Sequence, residues 1–229
     1  MEILFHGHSC IQITEGEHSL IIDPFINGNP VAVTKPEDVR VQHVLLTHGH
    51  GDHIGDAVQI AKQNDATIVS IVELASYLGW QGAKTVGINL GGSYALPMGR
   101  VKMTHAFHSS AVTTDEDQNI VYLGMPGGFL LEIGGKTIYH AGDTGLFGDM
   151  KMIGELNQID LAFLPIGDHY TMGPADALIA AQWLNAKQVV PIHFNTFPPI
   201  KQDGELFVAA LAEKNIKGTI VKPGESITL

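Results

Sequence analysis

Apolar and polar positions alternate along the start of the chain in the way that short β-strands require. This alternation predicts strands at 2–6, 9–14 and 19–23, and a turn at Gly16 joins the last two. Stretches with helical apolar spacing and short continuous apolar runs then follow. They predict helices at 36–40, 54–64 and 73–80 and strands at 42–47, 67–71 and 85–89. Alternating strands and helices predict a sheet that carries helices on its outer face.

The second half of the chain repeats this order of strands followed by helices, without a close sequence repeat. Glycine-rich turns such as Gly134-Gly135 separate the first strands of this half. The pattern predicts strands at 100–105, 120–124, 129–133, 137–141, 160–165, 188–192, 217–221 and 225–229, and helices at 145–157, 174–186 and 204–214. Two such halves packed face to face make an α/β fold of four layers, an α/β/β/α sandwich. No linker rich in Pro, Gly or Ser interrupts the pattern, so we interpret residues 1–229 as a single domain.

Composition narrows the class of protein. The chain has 45% hydrophobic and 16% charged residues, as ordinary globular domains do, and its apolar runs are too short to span a bilayer. The first residues lack the basic start and apolar core of a secretion signal, and Cys10 is the single cysteine. These features predict a cytoplasmic protein without an intrachain disulfide. Cys10 lies in an alternating apolar stretch, which favours a buried structural thiol over a nucleophile.

The net charge of the chain indicates which classes of binding partner to expect. The formal charge of −11 argues against a large basic surface for nucleic acid or for an anionic membrane. We therefore expect a small-molecule substrate, no nucleic-acid partner and no membrane segment. A homo-oligomer stays open.

The strongest chemical signal is a cluster of metal-binding side chains directly after the predicted strand at 42–47. Within six residues it contains three imidazoles and one carboxylate, from His48, His50, Asp52 and His53. Imidazole nitrogens and carboxylate oxygens bind Zn²⁺, Mn²⁺ and Fe, and the glycines between them permit the tight turn that lets them converge. The alternative is a solvated His-rich turn, which the position between a buried strand and a helix disfavours.

The spacing His-x-His-x-Asp-His resembles the signature of the metallo-β-lactamase superfamily. Further segments match that superfamily at 106–110, 141–144, 165–174 and 191–193, as does the opening Gly7-His8-Ser9-Cys10. Together they are most similar to a family of small prokaryotic metal-dependent hydrolases, related to ascorbate-6-phosphate lactonases and N-acylphosphatidylethanolamine phospholipase D enzymes. The resemblance covers almost the whole chain and implies the same four-layer sandwich.

The resemblance also implies a set of metal ligands. They are His48, His50 and His108 for a first ion, Asp52, His53 and His193 for a second ion, and Asp143 as a bridge between the two. A site rich in nitrogen and free of thiolate suits two divalent ions, with zinc as the first choice and manganese, iron or nickel as alternatives. A hydroxide that bridges the ions would be the nucleophile, and Asp52 would orient it and accept its proton.

Three of these ligands have ordinary alternatives when each is considered alone. Asp143 lies in a Gly-Asp-Thr sequence that is typical of a turn, and His193 ends an apolar strand, where a lone histidine is usually a hydrogen-bonded core residue. His105 competes with His108 as the ligand from its segment. The pattern of the superfamily favours Asp143, His193 and His108 as ligands.

Histidines beyond the ligand set predict proton donors and supporting contacts. We rank His169 first, as a general acid or a ligand of a substrate oxygen, because its polar segment lies between a buried strand and a helix. His8, His140 and Asp168 are expected either to line the pocket or to support the metal ligands from behind. The run 197–200 is either part of the pocket rim or an ordinary covering loop.

The leading hypothesis is a dinuclear metal-dependent hydrolase that cleaves a small ester, lactone or phosphodiester. Two alternatives stay open, namely an iron-dependent oxidoreductase of the same fold and a metal-binding member that does not turn over. A nuclease is disfavoured by the acidic charge balance.

Overall fold

Two seven-stranded sheets, each of mixed strand direction, carry most of the apolar strands. The structure is a computed structural model and describes residues 1–114 and 118–229. In spatial order the first sheet contains β16 (Ser226–Thr228), β1 (Glu2–Gly7), β2 (Cys10–Glu15), β3 (His18–Ile22), β4 (His43–Leu45), β5 (Thr67–Ile71) and β6 (Lys84–Ile88). Strands β16 and β1 to β3 pair antiparallel, whereas β3 to β6 pair parallel.

The second sheet has the same plan. In spatial order it contains β15 (Lys217–Gly218), β14 (Gln188–Ile192), β13 (Leu161–Pro165), β12 (Lys136–His140), β11 (Gly127–Ile133), β8 (Gly99–His105) and β7 (Ser93–Leu96). Strands β7, β8, β11 and β12 pair antiparallel, and β12 to β15 pair parallel. Each sheet therefore joins a meander to a set of parallel strands, as the order of elements predicts.

Helices cover the outer faces of the two sheets, except for the first helix, which lies in the candidate ligand segment after β4. They are α1 (Gly51–Ile54), α2 (Ala57–Asn64), α3 (Val72–Trp80), α4 (Asp149–Leu156), α5 (Pro174–Leu184) and α6 (Gly204–Glu213), with 3-10 turns at Pro36–Asp38 and Pro198–Ile200. In β13, Leu161 and Phe163 pack in the core shared with the first sheet, whereas Ala162 and Leu164 pack with residues of α4 to α6. Because a strand buried on both faces lies between two layers, the predicted α/β/β/α sandwich is confirmed.

The helix predicted at 54–64 is divided into α1 and α2 at Gly55. Gly55 has a φ of 41°, and a Cβ there would collide with the carbonyl oxygen of Pro24, so the position requires glycine. Helix α1 also begins earlier than predicted. Asp52 and His53 therefore lie in a helical turn and not in the predicted loop.

The prediction that 120–124 belongs to the second meander is wrong. Strand β10 (Asn119–Tyr122) pairs instead with β9 (Ala111–Thr114) in a separate two-stranded ribbon. Ile120 and Tyr122 are exposed there, so their apolar character does not mark a buried sheet face. The sequence pattern also does not predict β7 or β9, and α4 begins later than the helix predicted from residue 145.

Burial agrees with the structural role predicted for the single cysteine. Cys10 is fully buried in β2, and burial raises the pKa of its thiol well above the usual value. A thiol in this state is protonated and inaccessible to a substrate. Within 1–114 and 118–229, no helix combines the length and the apolar character needed to cross a membrane.

Candidate metal centre

The segment that follows β4 is anchored from two sides. The Thr47 N–H donates to Asp23 Oδ1 (2.9 Å), and the Gly49 N–H donates to Ser110 Oγ (3.0 Å). A Cβ at Gly49 would lie 2.8 Å from the Cβ of Leu123, which is closer than real Cβ contacts come. Glycine therefore lets this segment pass close to residues from the second half of the chain.

The predicted ligands converge in three overlapping groups. In each group the candidate ligand atoms lie within 4.8 Å of one another. The groups are His48, His50 and His108; His8, Asp52, His53 and His193; and His48, His53 and Asp143. The seven ligands predicted from the sequence all occur in these groups, and His8 joins them.

Asp143 lies between the histidines of the first two groups. Its Oδ2 is 3.0 Å from His193 Nε2 and 3.3 Å from His53 Nε2. The same oxygen is 3.6 Å from His108 Nε2, which belongs to the other group. His105, the alternative to His108, lies in none of the groups. This placement is what a carboxylate needs in order to reach ions in both groups.

Several buried polar atoms of the site make no hydrogen bond of good geometry with the described residues, although two of them lie close to Asp143 Oδ2. They are His53 Nε2, both ring nitrogens of His193, and Asp143 Oδ1. A buried polar atom without a partner costs about 1–3 kcal/mol, so a concentration of them requires a ligand in compensation. Nitrogen and carboxylate oxygen donors in this number match the preferences of divalent transition-metal ions. The residues present therefore fit metal ions.

Burial and neighbouring charges hold His48, His108 and Asp143 in the forms that bind metals. Burial lowers the pKa of His48 well below the usual value and that of His108 to about 4. Burial alone would raise the pKa of Asp143, but the imidazoles of His193 and His53 outweigh it and hold that pKa well below its usual range. Neutral imidazoles and an ionised carboxylate are the ligand forms of these side chains.

A cavity of about 510 Å³ opens onto these ligands. Five of its lining residues are predicted ligands, and the other four are Ser109, Tyr170, Phe197 and Pro199. A larger groove of about 850 Å³ lies between the ends of α4, α5 and α6, but none of the ligand groups found among the described residues lies in it. The smaller cavity is therefore the candidate active site.

Comparison with known proteins identifies the family. A family model described as a β-lactamase superfamily domain matches residues 18–194, the span that contains the seven predicted ligands. The chain belongs to the metallo-β-lactamase superfamily. The family resemblance inferred from the sequence is thereby confirmed.

Relatives in this superfamily match the chain from end to end. The UPF0173 metal-dependent hydrolase of Geobacillus sp. (strain WCH70) is 56% identical over 229 residues, and YtkL of Bacillus subtilis, of the same description, is 55% identical, each over the full length of both chains. The solved structure of Igni18, a metallo hydrolase from Ignicoccus hospitalis, has 37% identity and a TM-score of 0.90, and the match covers 100% of this chain and 97% of that one. The protein is thus a metal-dependent hydrolase of the superfamily.

Asp23 is a residue of this hydrolase site that the sequence pattern does not reveal. Its Oδ2 accepts hydrogen bonds from His53 Nδ1 (2.8 Å) and Thr47 Oγ1 (2.7 Å). Because Thr47 gives its only hydroxyl proton to Asp23, its oxygen must accept from His48 Nδ1 (2.9 Å). Both histidines then carry the proton on Nδ1 and present Nε2 as a ligand. An acidic residue directly after a buried strand was the available signal.

His8 contacts a predicted ligand directly. Its Nε2 donates to Asp52 Oδ2 (3.1 Å), while its Nδ1 accepts from Thr196 Oγ1 (2.9 Å). Its ring also lies 4.1 Å from the ring of His193, between centroids. This position agrees with the expected support for the metal ligands.

His140 is fully buried and is not among the residues that line the cavity, so of its two predicted roles its position favours support of the metal ligands from behind. Its Nε2 donates to the carbonyl oxygen of Ser9 (3.0 Å), and its Nδ1 accepts from the Gly142 N–H (3.2 Å). The ring therefore connects β12 to the β1–β2 turn and holds the backbone next to Asp143.

Asp168 and His169 are exposed and lie outside the cavity lining. Asp168 has a φ of 70°, and its expected role in lining the pocket or supporting the metal ligands stays a prediction. The neighbouring Tyr170 lines the cavity instead, and its ring meets that of His169 edge to face at 4.5 Å. The role of His169 as a general acid stays a prediction.

Proposed function

We propose that this hydrolase binds two divalent metal ions, with zinc as the first choice, and uses water to cleave a small ester, lactone or phosphodiester. We also propose that one domain, spanning residues 1–229, carries the activity. The observation that supports both ions is the pair of ligand groups on either side of Asp143, next to an open cavity. A single ion would leave one of these buried groups uncompensated.

The ligands divide into two sets with one shared member. His48, His50 and His108 would hold the first ion, Asp52, His53 and His193 the second, and Asp143 both. When bound, such ions lower the pKa of a coordinated water toward about 7 and polarise the oxygen of the substrate.

The chain itself positions the water and the substrate. Burial alone would raise the pKa of Asp52, but His8 and His53 outweigh it and hold that pKa far below its usual range. Asp52 is therefore a carboxylate at neutral pH and orients an attacking water by accepting its hydrogen bond. Because Asp52 is a weak base, it orients the attacking water rather than accepting its proton. His169, beside Tyr170, is the proposed donor of a proton to the leaving group.

The test begins with metal analysis of protein purified without added metal. We expect about two equivalents of divalent transition metal per chain, and loss of at least one in Asp143→Asn, because the amide keeps the shape but loses the charge. Asp160→Asn is the matched control, since Asp160 binds Lys187 and the Thr137 N–H away from the cavity. It should keep both metals.

Activity is then measured on esters, lactones and phosphodiesters with the metal restored. Removal of the metal by a chelator should abolish hydrolysis, and its return should recover it. His169→Ala should keep both metals and lose turnover. A wild-type protein with one equivalent, or hydrolysis that survives in the metal-free protein, would contradict the proposed function, and full turnover in His169→Ala would remove that residue from it.

A further inference from the structure

We propose that the part of the substrate beyond the scissile bond is uncharged and apolar, and that Tyr170 and Phe197 bind it. This inference rests on the proposed hydrolase function and adds the class of substrate. It is supported by the part of the cavity lining that does not consist of predicted metal ligands. That lining consists of two aromatic rings, the ring of Pro199 and the hydroxyl of Ser109.

In the part of the chain that the structure describes, the cavity lining contains no lysine or arginine that could bind an anionic group of the substrate. The chain has 13 lysines and arginines, all of them inside the described ranges, and none lines this cavity. A phosphate or carboxylate held away from the metal ions would need such a side chain to replace its hydration. The net charge of −11 adds repulsion for anionic substrates. A second anionic group on the substrate is therefore disfavoured.

The ring of Phe197 is held in place before any ligand binds. Phe197 packs against the ring of His8 at 5.6 Å and that of Phe25 at 6.2 Å. The 3-10 turn that follows is closed by the hydrogen bond from the Ile200 N–H to the Phe197 carbonyl oxygen (3.1 Å). Little conformational entropy remains to be lost when an apolar group packs on this ring.

Tyr170 offers the larger exposed surface. Its side chain is 56% exposed although it lines the cavity, so a substrate can still cover much of the ring. Its loop is tied down by hydrogen bonds from the Met172 N–H to the Thr144 carbonyl oxygen (2.9 Å) and from the Asp168 N–H to the Met172 carbonyl oxygen (3.3 Å). An exposed aromatic ring on an anchored loop beside a reactive centre is a binding surface for apolar groups.

The experiment compares p-nitrophenyl esters that differ in one property. With the metal-loaded enzyme, we expect kcat/KM to rise from acetate to hexanoate, and the hexanoate to exceed the equally long ester with a terminal carboxylate by about tenfold or more. Phe197→Ala and Tyr170→Ala should raise KM for the hexanoate about tenfold more than KM for the acetate. Tyr170→Phe should keep the dependence on chain length.

A matched control and a gain of function sharpen the result. Trp80→Ala removes a more exposed ring, 83% accessible on α3, and should change neither KM nor the dependence on chain length. Phe197→Arg should raise kcat/KM for the carboxylate ester relative to the hexanoate, because it supplies the missing cation. A preference of the wild-type enzyme for the charged ester, or an unchanged KM in both alanine variants, would overturn the inference.

A binding measurement separates this inference from the proposed function. Uncleaved butyranilide and hexananilide are titrated into the metal-loaded protein and followed by ligand-observed NMR. Two added methylenes should tighten binding about tenfold in the wild type and clearly less in Phe197→Ala. If none of the esters, lactones and phosphodiesters is hydrolysed but this gain is seen, the proposed function fails and the apolar site stands. If hydrolysis occurs and the gain is absent, the reverse holds.

Discussion

Replacement of Asp23 by asparagine is the sharpest test of how the metal centre is built. Asp23 is fully buried and accepts hydrogen bonds from the Thr47 N–H, the Thr47 hydroxyl and His53 Nδ1. The amide oxygen of asparagine can keep the bond to the Thr47 N–H. The NH₂ group would then face the Thr47 hydroxyl and His53 Nδ1, which both donate to Asp23, so neither of these bonds can form in its present direction, while the shape of the side chain is preserved.

The expected magnitude follows from these contacts. Two buried hydrogen bonds to a charged acceptor are each worth about 1.5–3 kcal/mol, so the free energy of unfolding of the metal-free protein should fall by about 3–6 kcal/mol. His53 and, through Thr47, His48 also lose the partner that fixes the proton on Nδ1. Loss of such a partner typically weakens metal binding by about 10–100-fold, and here both ligand groups should be affected.

Urea unfolding of the metal-free protein and titration against a competing chelator measure the two effects. Thr47→Val removes the link to His48 and leaves the bond from His53 to Asp23, so it should weaken the first ligand group more than the second. Asp160→Asn, which alters a carboxylate bound to a backbone N–H and a lysine elsewhere, should leave metal affinity unchanged. Folded Asp23→Asn protein with wild-type affinity for both metals would refute the reasoning.

Two further predictions concern the ligand segment. Gly49→Ala should cost about 1–3 kcal/mol and reduce metal content, because the new Cβ would press on Leu123, whereas Gly51→Ala meets no atom within 4 Å and serves as the control in thermal unfolding. Burial lowers the pKa of His53, but Asp143 and Asp23 outweigh it and raise that pKa well above the usual value. Metal binding must therefore release a proton from His53 at neutral pH, so metal affinity should increase with pH. Calorimetry in buffers of different ionisation enthalpy measures this proton release. If no proton is released, the prediction is wrong.

Several features of the molecule follow from local pattern. The alternation in β13, with Leu161 and Phe163 on one face and Ala162 and Leu164 on the other, arises because successive side chains of a strand point to opposite sides. The ligand segment is equally local, since a dense set of imidazoles and carboxylates has few other uses beside a buried strand. The strand alternation and the ligand segment can be predicted because both arise from residues that are close together in the sequence.

Other features depend on contacts between distant residues. Strand β16 crosses back to pair with β1 at the edge of the first sheet, although the preceding elements belong to the second half. Asp23, which supports two ligands, has no motif around it. His169 follows the expected buried strand and is exposed, but the residue that lines the cavity is its neighbour Tyr170. Small rotations of a loop decide which of two adjacent side chains faces a site, and hydropathy does not record them.

The sequence by itself therefore determined the two sets of strands and helices and the four-layer packing of their apolar faces, and, together with the family resemblance, it predicted the metal-binding side chains. Only the tertiary structure decided which residues hydrogen-bond to those side chains and which residues line the cavity that faces a substrate. The physical reason is the separation of the partners along the chain, as in the hydrogen bond from Thr196 to His8 across 188 residues. Periodicity reports the environment of a segment, but the folded chain alone brings such partners to hydrogen-bonding distance.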